Sequence, residues 1–165
     1  MANYTTFGAV VSKWQKSHNI KIAKSEFLKG AGLAVKKHIQ VMHGSSALKP
    51  NSPITIAFKG KNSPLVDSGK LRNSVVSLPS TNFVIITSTS PFLQRLHEYG
   101  AKWKMTDRQR KYLMARMTQA GITPKKKGSG YITIPPRPIW RKALGETRGE
   151  VVQLLQSVFK KHFSN

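Results

Sequence analysis

The stretch that decides the fold runs from Leu96 to Trp140. It opens with Leu96-His97-Glu98-Tyr99-Gly100, which we interpret as the end of a strand, and it closes with Ile134-Pro135-Pro136-Arg137-Pro138-Ile139-Trp140. Pro138 suits the first turn of a helix, so the closing part predicts a strand that leads through a stiff connection into a helix. A basic insertion separates the two parts, and neither resembles an active site.

Another block lies upstream, where residues 64–74 read Pro64-Leu65-Val66-Asp67-Ser68-Gly69-Lys70-Leu71-Arg72-Asn73-Ser74. Counted in chain order, residues 64–74 are the first block, residues 96–100 the second and residues 134–140 the third. In their order and approximate spacing the three blocks resemble the "pLvDtGxLrxS", "hHExG" and "iPxRPfh" signatures of tail-completion and virion-morphogenesis proteins of tailed bacteriophages. Residues 106–113 are similar to an insertion that some members carry between the last two signatures. The resemblance covers residues 64–145 and extends to the N-terminal helices only in kind.

The resemblance implies a virion structural protein of the neck or tail top, which forms a ring that completes the tail and joins it to the head. The implied partners are other neck and tail proteins and further copies of the chain, with genome DNA in the ring lumen as another candidate. The implied location is the virion, and the host cytoplasm during assembly. No enzymatic step, small-molecule substrate, membrane or cofactor is implied.

Length and composition also limit the class of protein to which the chain can belong. Its 165 residues suffice for one domain with a core, so we expect a single domain over residues 1–165 with a basic insertion at 101–130. Lys and Arg number 28 against 6 Asp and Glu, a formal charge of +22 that repels itself unless an anionic partner neutralises it. A free-standing cytosolic enzyme is therefore disfavoured.

Cysteine is absent, which excludes disulfides and thiolate chemistry. No apolar run is long enough to span a bilayer, and we expect a soluble protein made in a cytoplasm.

Apolar periodicity predicts two N-terminal helices. The first carries Phe7, Val10, Val11, Trp14 and His18 on one face. The second runs from Ser25 to His43 and ends at Gly44. Its predicted buried residues are Leu28, Val35, Ile39 and Met42. Gly30 and Gly32 weaken this helix, which indicates a kink or a close backbone contact there.

The remaining elements predict an α+β fold, with an antiparallel sheet of three to four strands packed by the N-terminal and C-terminal helices. Alternation at Ile54–Phe58 suits a short edge strand inside a mobile loop region at 44–63. Asn73–Leu78 and Asn82–Ser88 read as a hairpin at the sheet centre, because the second segment is apolar on both faces. Further predictions are a helix at 91–97, a capped helix from Thr106 to Ala120, a strand at Tyr131–Ile134 and a final helix with Trp140, Leu144, Val151, Leu154, Leu155 and Val158 on its apolar face.

Basic residues concentrate between Lys102 and Lys142, where twelve stand against a single acid, Asp107. Such a density can bind phosphates by releasing counterions, or it can contact an acidic protein. The alternative is a solvated face with a flexible loop at Lys125–Gly130. The candidate contact residues are Lys102, Lys104, Arg108, Arg110, Lys111, Lys125, Lys126 and Lys127.

The third block and the His97-Glu98 pair supply the candidate interface residues. Arg137 lies between two prolines that hold its backbone extended and aim its guanidinium, which suits a subunit interface formed with Trp140 and Glu98. A structural role is equally open, in which Glu98 is buried and pairs with Arg95 or Arg137. Adjacent residues on an extended segment point to opposite faces, so His97 and Glu98 are poorly suited to share one substrate atom.

Two other patterns do not predict sites. His38 and His43 are five residues apart, which separates them by about 140° around a helix and excludes a two-ligand metal face. Ser68-Gly69-Lys70 resembles the end of a phosphate-binding loop, but Pro64 stands where that motif needs Gly. We expect a turn there, with positive φ at Gly69 and a strand that starts at Lys70. No metal, cofactor or catalytic residue is expected.

Two rival functions remain open. A basic RNA-cleaving toxin would need His97, Glu98 and nearby cations to converge on one concave site. A plain nucleic-acid-binding module would use Trp103, Tyr112 and Tyr131, which are interleaved with Lys and Arg, as stacking platforms.

Overall fold

The computed structural model describes residues 18–123 and 130–163, and the fold is α+β as the sequence predicts. In chain order the described elements are α1 (His18–Met42), α2 (Pro53–Lys59), α3 (Lys70–Asn73), β1 (Val75–Pro79), β2 (Val84–Ser88), α4 (Pro91–Tyr99), β3 (Ala101–Lys104), α5 (Asp107–Gln119), β4 (Tyr131–Ile134), α6 (Ile139–Glu146) and α7 (Arg148–Phe163). The helix predicted around Phe7–Trp14 lies outside the described residues.

Helix α1 is the central element of the fold. Its described part runs from His18 to Met42 and so includes the seven residues before the predicted start at Ser25, and Gly44 with φ +85° follows its end as predicted. The predicted face is confirmed for Val35, Ile39 and Met42, which are buried, whereas Leu28 is half-buried. The main apolar core joins this face to four further buried residues, Leu48, Val75, Ile139 and Ala143.

The close contact predicted at the α1 glycines is confirmed. A Cβ on Gly32 would overlap Ser77 Oγ and lie 2.6 Å from Val84 Cγ2, and a Cβ on Gly30 would lie 2.7 Å from Leu154 Cδ2. Gly32 therefore allows the β1–β2 hairpin to approach α1 closely, and Gly30 does the same for α7. The advantage of glycine at both positions is tight packing.

The strands form two separate antiparallel pairs in the described residues, which corrects the expected single sheet of three to four strands. Val75 of β1 pairs with Ser88 of β2, and Ala101 of β3 pairs with Ile134 of β4. The β1–β2 hairpin was expected at the centre of a sheet. Instead one of its faces packs on α1, while Leu78 and Ile85, which pair directly, are exposed on the other.

The predicted edge strand at Ile54–Phe58 is wrong, because this segment is the helix α2. Ser52 caps it through a hydrogen bond from Thr55 N, Pro53 occupies its first turn, and Gly60 with φ +67° ends it. These start and stop signals outweigh the strand propensity of Ile-Thr-Ile.

Two other strand predictions are also wrong. Gly69 has the expected positive φ of +80°, but Lys70 then starts the single helical turn α3 instead of a strand. The segment from Leu96 to Tyr99 belongs to α4, which continues the predicted 91–97 helix by two residues and ends at Gly100. His97 and Glu98 consequently lie on a helix.

The final helix is divided into α6 and α7. Thr147 is buried at the division, and its hydroxyl donates to Ala143 O at 2.7 Å. Of the predicted apolar face, Val158 is buried and Trp140, Val151 and Leu154 are half-buried, whereas Leu144 and Leu155 are exposed.

Candidate functional site

The three sequence blocks meet in the fold through α4. Gln94 of this helix donates from Nε2 to Leu71 O at 3.0 Å, in the first block. Its Oε1 accepts a hydrogen bond of 3.3 Å from Trp140 Nε1, in the third block. Gln94 is buried, so these bonds are shielded from water and fix the blocks relative to one another.

Glu98 links the second block to the third. Its carboxylate accepts hydrogen bonds from the backbone amides of Trp140 at 3.0 Å and Arg141 at 3.2 Å, in the first turn of α6. The expected ion pair with Arg95 or Arg137 is wrong, and the nearest cation is the Arg141 guanidinium at 4.0 Å. Pro138 leaves these amides without a side-chain cap of their own, and the buried carboxylate supplies one.

Arg137 makes a different set of contacts. Its backbone amide donates to His97 O at 2.7 Å. Its guanidinium donates to Lys49 O at 2.9 Å and to Pro50 O at 3.0 Å, and more weakly to Asn51 Oδ1 at 3.4 Å. The residue is only 6% exposed, and burial lowers the pKa of its guanidinium. All of these acceptors are neutral, so a buried positive charge is solvated by oxygen dipoles and not matched by a carboxylate.

Gly100 makes the contact between the second and third blocks sterically possible. Its φ is +74°, and a Cβ there would lie 2.7 Å from Ile134 O and 2.9 Å from Pro136 N. Backbone atoms cannot move aside as a flexible side chain can. Glycine is therefore required both by conformation and by space.

His97 and Glu98 do not converge. His97 lines a cavity of about 600 Å³ together with Arg137, whereas Glu98 lines a different cavity of about 410 Å³ beside Trp140. Burial lowers the pKa of His97, and the positive charge of Arg137 lowers it further. The arrangement required of an RNA-cleaving pair is not present at these two residues.

The three residues expected at a subunit interface are engaged inside the chain. Arg137 and Glu98 are buried, and Trp140 is half-buried with both its amide and its indole N–H donating within the fold. These contacts are of the kind that the structural alternative describes, but the partners differ: Arg137 bonds backbone carbonyls and Glu98 bonds backbone amides, and the two do not pair with each other. Their interface role stays a prediction.

The basic insertion forms what we term the basic arm, comprising β3, α5 and β4. The capping box predicted at Thr106 and Gln109 is confirmed, with bonds of 3.0 and 3.2 Å, and α5 stops before Gly121 as predicted. No residue of α5 is buried. The arm contacts the body where Arg116 lies 4.9 Å from the Phe58 ring of α2.

Cationic and aromatic side chains share the surface of this arm. Its exposed candidate contact residues are Lys102, Lys104, Arg108, Arg110 and Lys111. Lys102 lies 5.0 Å from the ring centre of Tyr131, and Tyr112 is 67% exposed. Lys125, Lys126 and Lys127 lie outside the described residues. A positive surface with exposed rings can hold a phosphate backbone and stack on bases.

His38 and His43 each have a polar partner within the fold. His38 is 2.7 Å from Glu146, whereas buried His43 contacts Ile39 O through Nδ1 at 2.8 Å. Burial lowers the pKa of His43. No group of metal-ligating side chains occurs within residues 18–123 and 130–163.

Sequence reasoning missed Gln94, Asn51 and Lys59, which the structure places at the block junction or in the cavity beside Arg137. Only tertiary contacts identify them, because each stands in a segment without a recognisable motif.

In the described part of the chain, no helix combines the length and apolar character needed to cross a bilayer. Comparison with protein-family models, with curated proteins and with solved structures gives no match.

Proposed function

We propose that the chain is a virion structural protein of a tailed bacteriophage, located in the neck or at the top of the tail, where it assembles into a ring that completes the tail and joins it to the head. It acts by assembly and not by catalysis. Its partners are neighbouring neck and tail proteins and further copies of itself.

The observation that carries this proposal is the set of three signature-like blocks, supported by the contacts that they make. Gln94 bonds Leu71 O and the Trp140 indole, Glu98 caps α6, and Gly100 admits the backbone at Ile134. The signature-like residues are thus used to hold a subunit body together. This use agrees with a structural protein, whose distinctive residues need not surround a substrate.

In this proposal the basic arm contacts the acidic component of the assembly, either a neighbouring protein or DNA in the ring lumen. The arm offers five described cationic candidates, all exposed, and little apolar surface that folding alone would bury. The formal charge of +22 also favours assembly on an anionic template over association of free subunits.

The experiment is removal of the gene for this chain from its phage, followed by complementation. Without the chain we expect separate heads and tails in electron micrographs, and normal particles on complementation with the unaltered gene. Infectious, fully joined virions in its absence contradict the proposal.

A matched pair of variants tests the arm within the same experiment. Lys102→Gln/Lys104→Gln/Lys111→Gln should reduce the yield of joined particles, whereas Lys29→Gln/Lys37→Gln/Lys160→Gln removes the same charge from exposed positions elsewhere and should reduce it less. Equal effects mean that total charge matters and the arm does not.

A nucleic-acid-binding module is the second candidate, favoured by the exposed Tyr112 and the Lys102–Tyr131 contact on the arm. The salt dependence of oligonucleotide binding tests it. The Lys102→Gln/Lys104→Gln/Lys111→Gln variant would lose up to three phosphate contacts, which should flatten the slope of log K against log salt by about 2 to 3 units. The RNA-cleaving alternative would instead give degraded RNA and arrested growth on expression.

A further inference from the structure

The cavity of about 600 Å³ beside Arg137, termed the Arg137 pocket, has no part in the proposed assembly role of the basic arm. It is bounded by the Pro50–Thr55 segment, the 65–71 turn, α4 and the 133–137 connection. Segments far apart in sequence therefore form its walls, held by the bonds from Arg137 to Lys49 O and His97 O.

The pocket contains a buried positive charge without a negative partner. Within residues 18–123 and 130–163, no carboxylate forms an ion pair with Arg137. Lys59 and Lys70 also line the pocket, and Asp67, which is exposed, is the sole acidic residue that the described part of the chain contributes to the lining. The described lining therefore carries three cations against one anion. A buried guanidinium is most stable opposite a carboxylate or phosphate, and a ligand that enters the pocket can supply one.

Buried polar atoms without partners, of which one is a donor, point to the same chemistry. The side chain of Asn51 is 8% exposed and lines the pocket, and its Nδ2 has no hydrogen-bond partner although its Oδ1 is contacted by Arg137. His97, also in the lining, has a buried Nδ1 without a partner. Unpaired buried polar atoms are rare and each costs about 1–3 kcal/mol, so an incoming acceptor has a free-energy advantage.

The remaining wall is apolar and decides the class of ligand. Leu65, Leu71, Leu93, Ile134 and Pro135 line it, and among the described residues no Phe, Tyr or Trp does. A nucleic acid would find cations but no ring on which to stack a base. A peptide that alternates acidic and aliphatic side chains would satisfy both the cations and the apolar wall.

We propose that the Arg137 pocket binds an acidic peptide segment of a partner protein, with a carboxylate directed at Arg137, Lys59 and Asn51 and an aliphatic side chain against the leucine-rich wall. The site is separate from the basic arm, and it does not depend on the virion assignment.

The test uses the purified full-length chain with isotope-labelled methyl groups, at physiological salt to suppress non-specific attraction to the net charge. The probe is a terminally blocked Glu-Leu-Glu peptide, and the control probe is the blocked Gln-Leu-Gln peptide. We expect the acidic peptide to shift the methyl signals of Leu65, Leu71, Leu93 and Ile134 and to raise the pKa of His97. Unmoved pocket methyls, or equal shifts with both peptides, overturn the proposal.

Two further measurements distinguish binding of the acidic peptide from general attraction to charge and from binding of phosphate or nucleic acid. Lys59→Gln/Lys70→Gln should weaken peptide binding about tenfold or more, while Lys37→Gln/Lys160→Gln, with the same change in charge at exposed positions outside the pocket, should weaken it far less. Equal weakening overturns the proposal, because it reports attraction to net charge alone. Inorganic phosphate or a short oligothymidylate that shifts the pocket methyls more strongly than the peptide also overturns it. Mapping on the unaltered protein keeps the test decisive even where a variant fails to fold.

Discussion

The carboxylate of Glu98 accepts a hydrogen bond of 3.0 Å from the backbone amide of Trp140. Glu98 lies on α4, so a side chain of one helix caps the N-terminus of another, α6. The same carboxylate accepts a second bond, of 3.2 Å, from Arg141 N. A buried side chain thus performs the capping task that Ser or Asp usually performs locally. The first turn of α6 is fixed only when α4 is in place.

Glu98→Ala should therefore lower the free energy of unfolding by about 2 kcal/mol, because two amides lose a charged acceptor in a buried place. The free energy of unfolding of Glu98→Gln should lie between those of the unaltered chain and Glu98→Ala, because its single carbonyl oxygen can replace only part of the contact. Urea denaturation followed by circular dichroism measures both. Glu150→Ala, at an exposed position in the first turn of α7, is the control and should change stability by less than about 1 kcal/mol.

Gly100 and Gly121 form a matched pair. Their φ values are +74° and +70°, but only at Gly100 would a Cβ meet backbone atoms, whereas at Gly121 no atom of the described residues lies within 4 Å. Both alanine variants bear the cost of a positive φ, about 1–3 kcal/mol, and the cost is greater at Gly100, whose ψ of 174° is nearly restricted to glycine. Gly100→Ala should lose about 3 kcal/mol or more in total, because Ile134 O must also move. Equal losses in thermal denaturation would show that the close approach has no energetic weight.

A second glycine pair tests the packing on α1. Gly32→Ala should destabilise by about 1–3 kcal/mol because its methyl would overlap Ser77 and Val84. Gly149→Ala, in α7, meets nothing within 4 Å and should stabilise by up to about 1 kcal/mol through its higher helix propensity. Opposite signs in the two melting temperatures are expected. A stabilising Gly32→Ala would contradict the packing argument.

Stability should fall as the pH drops below about 6.5. The pKa values of His43 and His97 are lowered, mainly by burial, and the facing charges of Arg72 at His43 and of Arg137 at His97 act in the same direction. The unfolded chain then binds protons before the folded chain does, so stability present above the ordinary pKa is lost on acidification.

Equilibrium unfolding at pH 7.0 and 5.5 measures this loss. The His43→Gln/His97→Gln variant should lose less stability over that interval than the unaltered chain, whatever its stability at neutral pH. Between pH 7 and 8 both proteins should change little, which serves as the control. An unchanged slope below pH 6.5 in the double variant would assign the acid sensitivity to other groups.

The free chain should be monomeric or weakly associating at low ionic strength, since its charge of +22 opposes contact between copies. Analytical ultracentrifugation in low salt checks this expectation, and added polyanion should promote association. A stable homo-oligomer in low salt without any anion would show that specific contacts overcome the repulsion.

The sequence by itself determined the local features whose signals lie within a few residues. The Thr106–Gln109 capping box, the stop at Gly44, the β1–β2 hairpin and the buried face of α1 follow from capping chemistry and apolar periodicity. It also determined the charge, and with it the expectation of an anionic partner. These features depend on neighbours in sequence, so a linear pattern is enough to identify them.

Only the tertiary structure decided the contacts that join distant segments. Glu98 caps α6, while Arg137 bonds the carbonyls of Lys49 and Pro50. Charge pairing could not indicate this, because it offered only a pair between Glu98 and Arg95 or Arg137 as the structural alternative. The physical reason is that backbone amides and carbonyls compete with side chains as partners, and their positions exist only once the helices have packed.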